Sequence, residues 1–424
     1  MTAQSVSFRR GTVKVAVGVA SFGVANYVFL AGATRLLGPA GYAQFMVFWG
    51  LVYGLGLGLC LPFEQEISRR VSMARSTGSP IAPTLRAAYR TTGIASVLLT
   101  VLTIPVAMIY SDAGDVPTVV ALCAASYLAL AMAYVSRGSL SGSGQFGRYA
   151  VQFGIEGLVR VLAVVLVATA IVRASIPAFA LAVPVALMAG VFATTSLVVR
   201  GAPALEMRTL VRSLAPIIVS SMIVQSLINL GPVTINLLTD ASERDLAGSF
   251  LAAAVVTRIP ILAFSAVQAV LIPRLVRSVM AEDRRDFRRG LVLVLVPTIG
   301  IGVLGMLAWL VVGPMVLHVL AGAEYNLPRG DFVILAIGVA LYLVCNVLQA
   351  AALALGEHLR MMRSWLLGAV SFVAASVLPL TPTHAVGWAM VAGFGVAAVA
   401  LGLVVRQRMT HQELGWSPTQ PPMR

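Results

Sequence analysis

The chain has 424 residues, of which 59% are hydrophobic and only 11% charged, and its mean hydropathy is +0.92. A soluble domain carries about 25% charged residues, so a water-soluble globule, a disordered chain and a nucleic-acid binder are excluded despite the net charge of +14. What remains is a polytopic membrane protein.

Apolar runs long enough to cross a bilayer core recur at 13–34, 43–63, 91–111, 117–136, 150–172, 176–199, 214–238, 246–273, 290–312, 331–355, 363–380 and 385–405. Their Leu, Val, Ala and Gly content lacks the alternation of barrel strands, so they are predicted as helices. The first run contains Asn26 and Tyr27 and no small-x-small cleavage site, and reads as a retained span rather than a signal peptide.

The basic residues test this count independently. Lys14 is the sole lysine, and the other 29 of the 30 basic residues are arginines. With the N-terminus cytoplasmic, 24 basic residues fall in cytoplasmic segments, among them Arg137 and Arg148. Four (Arg35, Arg173, Arg244, Arg329) fall outside, and Arg160 and Arg258 fall within spans. Positive charge is retained on the cytoplasmic side, which predicts 12 spans with both termini cytoplasmic.

Two longer basic loops, 64–90 and 274–289, each follow the second span of a six-span half and are predicted to be interfacial helices on anionic headgroups. The resulting plan is an all-α protein of two parallel-repeat six-helix lobes around a central cavity. Residues 1–200 form the N-terminal lobe, 201–213 a cytoplasmic connector, 214–405 the C-terminal lobe and 406–424 a cytoplasmic tail.

Enzymatic chemistry finds no foothold. The lone lysine is not in a G-x-x-x-x-G-K-[ST] loop, there is no H-E-x-x-H, and Cys60, Cys123 and Cys345 are scattered through apolar stretches. The expectation is a transporter with neither catalytic residues, cofactor nor metal, and with no nucleic-acid partner.

Polar residues inside spans are costly, and so they mark candidate sites. Glu156 and Arg160, four apart, share a helix face and can pair. The pair reads either as a structural ion pair or as a coupling element. Arg258 has no acid within one helical turn and precedes Pro260, which opens the backbone. It calls for a partner elsewhere in the fold or an anionic ligand, and Gln268 continues its face. Gln225 and Asn229 lie on a polar stripe with Ser221 and Asn236, while Tyr342, Asn346 and Gln349 form another. Asn26 and Arg35 add polar groups in and beyond the first span. Such stripes either bond helices together or line a water-filled cavity.

Three segments resemble Wzx-like polysaccharide-biosynthesis flippases of the multidrug/oligosaccharidyl-lipid/polysaccharide (MOP) exporter superfamily. RLLGPAGYAQFMVFWGLVYGLGLGLCLPFEQEISRRVS (35–72) is similar to the family's turn between the first two spans. DLAGSFLAAAVVTRIPILAFSAVQAVLIPRLVR (245–277) and AGAEYNLPRGDFVILAIGVALYLVCNVLQAAALALGEHLRMMRSW (321–365) resemble later segments, in order and at family spacing. The resemblance implies two six-helix lobes around a cavity that opens alternately to either side. It also implies a polyprenyl-pyrophosphate-linked oligosaccharide moved from the cytoplasmic to the external leaflet of the cell membrane. Arg258, Gln225, Asn229, Asn26, Arg35, Gln268 and Asn346 are then cavity candidates. Membrane lipids and a downstream polymerase or glycosyltransferases would be the partners. A cation-coupled small-molecule or multidrug antiporter of the same superfamily is the main alternative. A membrane-embedded glycosyltransferase or polymerase is a third, which the short external loops disfavour.

Overall fold

The computed structural model describes residues 3–110, 114–195, 207–261 and 275–410 except 276 and 282; side-chain placement excludes 3–13, 207–213, 216 and 241. The described residues form helices joined by short turns, and their contacts group into two compact units, Met1–Asn236 and Leu237–Arg424.

In the first unit, α1 (Ala3–Leu51) runs through a kink at Gly38 and continues by a π-helical turn (Val52–Gly56) into α2 (Leu57–Ser76). Gly38 sits at φ 69°, ψ 172°, a conformation that residues with a Cβ adopt at a cost, and Pro39 follows it. The kink separates the first two predicted spans. Next come α3 (Ala82–Tyr110), α4 (Val116–Gly142), α5 (Phe146–Ala168) and α6 (Ile176–Thr194). Then α7 (Met207–Asn229) and α8 (Gly231–Leu238) form one broken span, bent by 50° just ahead of Pro232. The second unit holds α9 (Arg244–Thr257), α10 (Arg284–Ala321), α11 (Arg329–Ala354), α12 (His358–Ser376) and α13 (Pro382–Thr410).

Every predicted span has a helix at its place, the eighth through α9 only, because 262–274 lie outside the described residues. Among the described residues, eight helical stretches are long and apolar enough to cross a membrane, and the bent α7–α8 pair makes nine. One of the eight, Lys14–Ser76, carries two predicted spans.

Three expectations are corrected. The segment 64–90 is not a separate interfacial helix: α2 runs on to Ser76 and α3 starts at Ala82. In the 274–289 segment, 277–280 are helical, while 284–289 open α10, where Asp283 caps the helix by accepting from the Asp286 N–H. An apolar span that runs into a basic stretch keeps its backbone bonds by remaining helical, which is why α2 and α10 carry basic residues without a break where the apolar run ends. The third correction concerns Arg137, which lies inside α4 at 2% exposure rather than in a loop.

Packing follows an inside-out logic. Within the first unit α1 lies along α5, α2 along α4, and α6 against α4 and α5, around buried Phe29, Phe45, Phe63 and Phe179. Within the second, α11 packs on α10 and α13, and α12 on α13, around Phe250, Phe332 and Trp365. Leu and Val are left bare on the outside, as on α3 (Val97, Leu98, Val101, Leu102) and α10 (Val296, Leu304, Val311). Such a surface suits hydrocarbon, where exposed leucine costs nothing.

Candidate functional site

Charge concentrates in the interior of the first unit. Glu156 of α5 accepts from Arg160 one turn on at 2.9 Å, the pair that the spacing predicted. Its other carboxylate oxygen accepts from Arg137 of α4, which the sequence reading missed. All three side chains are at most 2% exposed. Arg160 also donates to the Asn26 side chain of α1 and to the Tyr53 hydroxyl. The π turn carries Tyr53 to that position, where its ring packs on Trp49 at 4.3 Å. A π turn inserts one residue and rotates the helix face after it, an arrangement frequent at functional sites.

The guanidiniums lie over aromatic rings. Arg137 is 3.9 Å from the Phe153 ring centre and 4.9 Å from that of Tyr134. Arg160 is 4.9 Å from Phe22 and 5.6 Å from Trp49. Desolvated contacts of this kind are worth about 2 kcal/mol each. They help hold two cations whose Nε–H groups have no hydrogen-bond partner among the described residues.

A second acid completes the charge balance. Glu64 of α2, half-buried, accepts from the Tyr149 hydroxyl of α5 at 2.8 Å and is coupled electrostatically to Arg137. Its approach depends on Gly138, one residue after Arg137. A Cβ there would stand 2.7 Å from the Glu64 carbonyl oxygen, so only glycine allows α2 this close to α4. Arg137, Glu64, Tyr53 and Tyr149 were invisible to span-by-span reading because they come from different helices. The one available signal was that Arg137 stands 19 residues from Glu156, across a tight turn joining two spans.

The other candidates fall elsewhere. Gln225 and Asn229 bond to each other along α7, from Asn229 Nδ2 to Gln225 Oε1 at 3.1 Å. Asn236 lies beyond the bend and donates to the Ala43 carbonyl at 3.3 Å. Arg35 is exposed. In the second unit Arg258 ends α9, half-buried, and acts electrostatically on Tyr342 of α11. Thr257 and Pro260, which flank it, line a narrow apolar slot shared with Gly305, Trp309 and Leu343. Asn346 donates to the Tyr342 carbonyl at 2.8 Å, and Gln349 accepts from buried Trp365 at 2.7 Å. Gln268 lies outside the described residues. No group of three metal-ligating side chains occurs among the described residues.

The fold has solved counterparts. An inward-facing multidrug resistance MATE family transporter of the MOP superfamily matches with a TM-score of 0.70 at 15% identity, over 94% of this chain and 98% of the other. The outward-facing conformation of a MATE family transporter gives 0.65 at 14% identity, over 95% of each chain. A point mutant of the Vibrio cholerae MATE transporter VcmN gives 0.66 at 16% identity, over 97% of this chain and 98% of the other. At such identities the likeness establishes the fold alone. No curated protein matches the chain. A family model described as polysaccharide biosynthesis protein matches residues 9–279, more than half of the length. The chain is therefore a multi-pass membrane protein with the fold of MOP transporters, and it belongs to the polysaccharide biosynthesis protein family.

Proposed function

We propose that this transporter is a flippase that moves a polyprenyl-pyrophosphate-linked oligosaccharide from the cytoplasmic to the external leaflet of the cell membrane, for surface polysaccharide assembly. On this reading residues 1–200 and 214–405 are the two lobes, joined by a cytoplasmic connector at 201–213, with both termini and the tail 406–424 cytoplasmic. The observation that carries it is Arg258: a half-buried guanidinium at the end of α9, inside an apolar span of a polysaccharide-biosynthesis chain. A pyrophosphate and a sugar chain cannot cross hydrocarbon bare. Guanidinium binds phosphate oxygens in pairs, which the lysine ammonium does not reproduce. Gln225, Asn229, Asn26, Arg35, Gln268 and Asn346 are assigned to sugar and phosphate contacts, and a downstream polymerase or glycosyltransferases would receive the product.

The test is restoration of surface polysaccharide in a flippase-deficient cell. Arg258→Ala should abolish export while the protein's abundance in the membrane fraction stays near wild type, and Arg258→Lys should restore it in part. Full export by Arg258→Ala rejects the phosphate role. Loss of the protein itself assigns Arg258 to helix packing. A second reading, a cation-coupled small-molecule or multidrug antiporter, draws on the buried carboxylates of the first unit. Efflux of dyes without polysaccharide export would select it.

A further inference from the structure

Two acids stand beside Arg137, and their surroundings differ in kind. Glu156 is 2% exposed and holds a guanidinium on each carboxylate oxygen. A proton added there would leave two buried cations facing a neutral acid, and breaking a buried pair in this way is strongly destabilising. Glu64 is held by a neutral phenol at 2.8 Å, is partly exposed, and meets Arg137 only at longer range. With both acids ionised the cluster is neutral, two guanidiniums against two carboxylates. With Glu64 protonated it carries one positive charge, while the contacts of Arg137 and Arg160 to Glu156 persist.

We propose that Glu64 is the proton-exchanging acid of the first unit and that Glu156 is a fixed counter-charge. The proton comes from water at the partly exposed edge of α2, adds to a Glu64 carboxylate oxygen, and returns to water when the carboxylate re-forms. The Tyr149 hydroxyl donates to the carboxylate and remains beside the neutral acid. The charged neighbour is Arg137 from α4, itself paired with Glu156 from α5, and the phenols facing Glu64 are Tyr149, which bonds it, and Tyr134. On α2 itself Glu66 is held by Arg69 and Arg70. The other titratable groups on elements packed against α2 are Tyr53 of the π turn, Cys123 and Tyr127 of α4, Arg86, Tyr89, Arg90 and Tyr110 of α3, and Arg208 and Arg212 of α7. None of these is a further acid. The inference deepens the transporter reading by naming the group through which a proton gradient would act, and its first test needs no substrate.

The first measurement is the infrared difference spectrum between acidic and neutral pH of the purified full-length chain. Glu64→Gln should remove one protonated-carboxyl C=O band, and Tyr149→Phe should shift that band by deleting its hydrogen bond. A spectrum unchanged by Glu64→Gln overturns the proposal. If Glu64→Gln does not accumulate, the Tyr149→Phe shift decides, and an unshifted band overturns it equally. The second measurement is export as a function of external pH, where Glu64→Gln should lose the dependence of the wild type while keeping its abundance. Export that retains the pH dependence in Glu64→Gln also overturns the proposal. A wild type that exports nothing while the Glu64 band is present rejects the flippase reading and leaves the acid assigned.

Discussion

Glu156 shows how a residue-scale reading changes once a third partner is known. From the sequence, a charge-swapped Glu156/Arg160 pair should restore whatever either single change loses. With Arg137 on the other oxygen, the exchange keeps the net charge but sets a cation at position 156 directly against Arg137, so it cannot restore the pairing. Glu156→Gln should therefore lower membrane abundance and thermal stability, by about 3–5 kcal/mol for a carboxylate removed from buried cations. Adding Arg137→Met should recover part of that loss, because one unpaired cation goes with it and the methionine refills the space. The comparison is made by membrane-fraction immunoblot and by thermal unfolding in detergent. A double variant less stable than Glu156→Gln alone would show that Arg137 serves a purpose beyond pairing.

At the scale of elements, the contact between α2 and α4 is set by glycine. Beyond Gly138, Gly142 also lies against α2, where a Cβ would stand 2.5 Å from the Ser68 carbonyl oxygen. Both obstacles are backbone and cannot swing away, so the helices must separate. Gly138→Ala should destabilise the first unit by about 1–3 kcal/mol, the usual cost of overpacking, although alanine favours helix by about 1 kcal/mol at an unconstrained site. Gly305 on α10 is the control: its Cβ would meet nothing within 4 Å. Gly305→Ala should be neutral or stabilising. Thermal unfolding of the two variants side by side checks the contrast, and equal shifts would dismiss the close-approach argument. The broken span α7–α8 follows a different rule, since its bend sits where Pro232 cannot bond back into the preceding turn.

The orientation of the whole molecule is open to chemical labelling. Arginine asymmetry predicts the 239–245 segment outside and the 274–289 segment inside. Ser242 is exposed and suits an external probe, whereas Ser278 is buried and bonds Asp286, so Met280, 73% exposed, is the better cytoplasmic position. Impermeant thiol reagents added to intact cells should modify Ser242→Cys and spare Met280→Cys until the membrane is opened. Cys60, Cys123 and Cys345 are buried and should give little background. The reverse pattern would invert the topology and, with it, the proposed direction of transport.

Hydropathy, a one-dimensional property, is enough to place membrane helices, because each must satisfy its backbone within its own segment. The spans and the Glu156–Arg160 pair were legible for that reason: each is set by neighbours within a turn or two. The remaining features depend on contacts between helices. Whether Arg137 sat in a loop or in a core turned on where α4 ends. Tyr53 reached Arg160 only through a π turn that no local pattern announced. Glu64 belonged to a basic stretch that read as interfacial until α2 proved continuous. The polar stripes divided in the same way. Gln225 and Asn229 found each other four residues apart, while Gln349 was engaged by Trp365 from another helix. Which buried charges face one another is decided by helix packing, and that is why the chemistry of the cluster appears only in the tertiary structure.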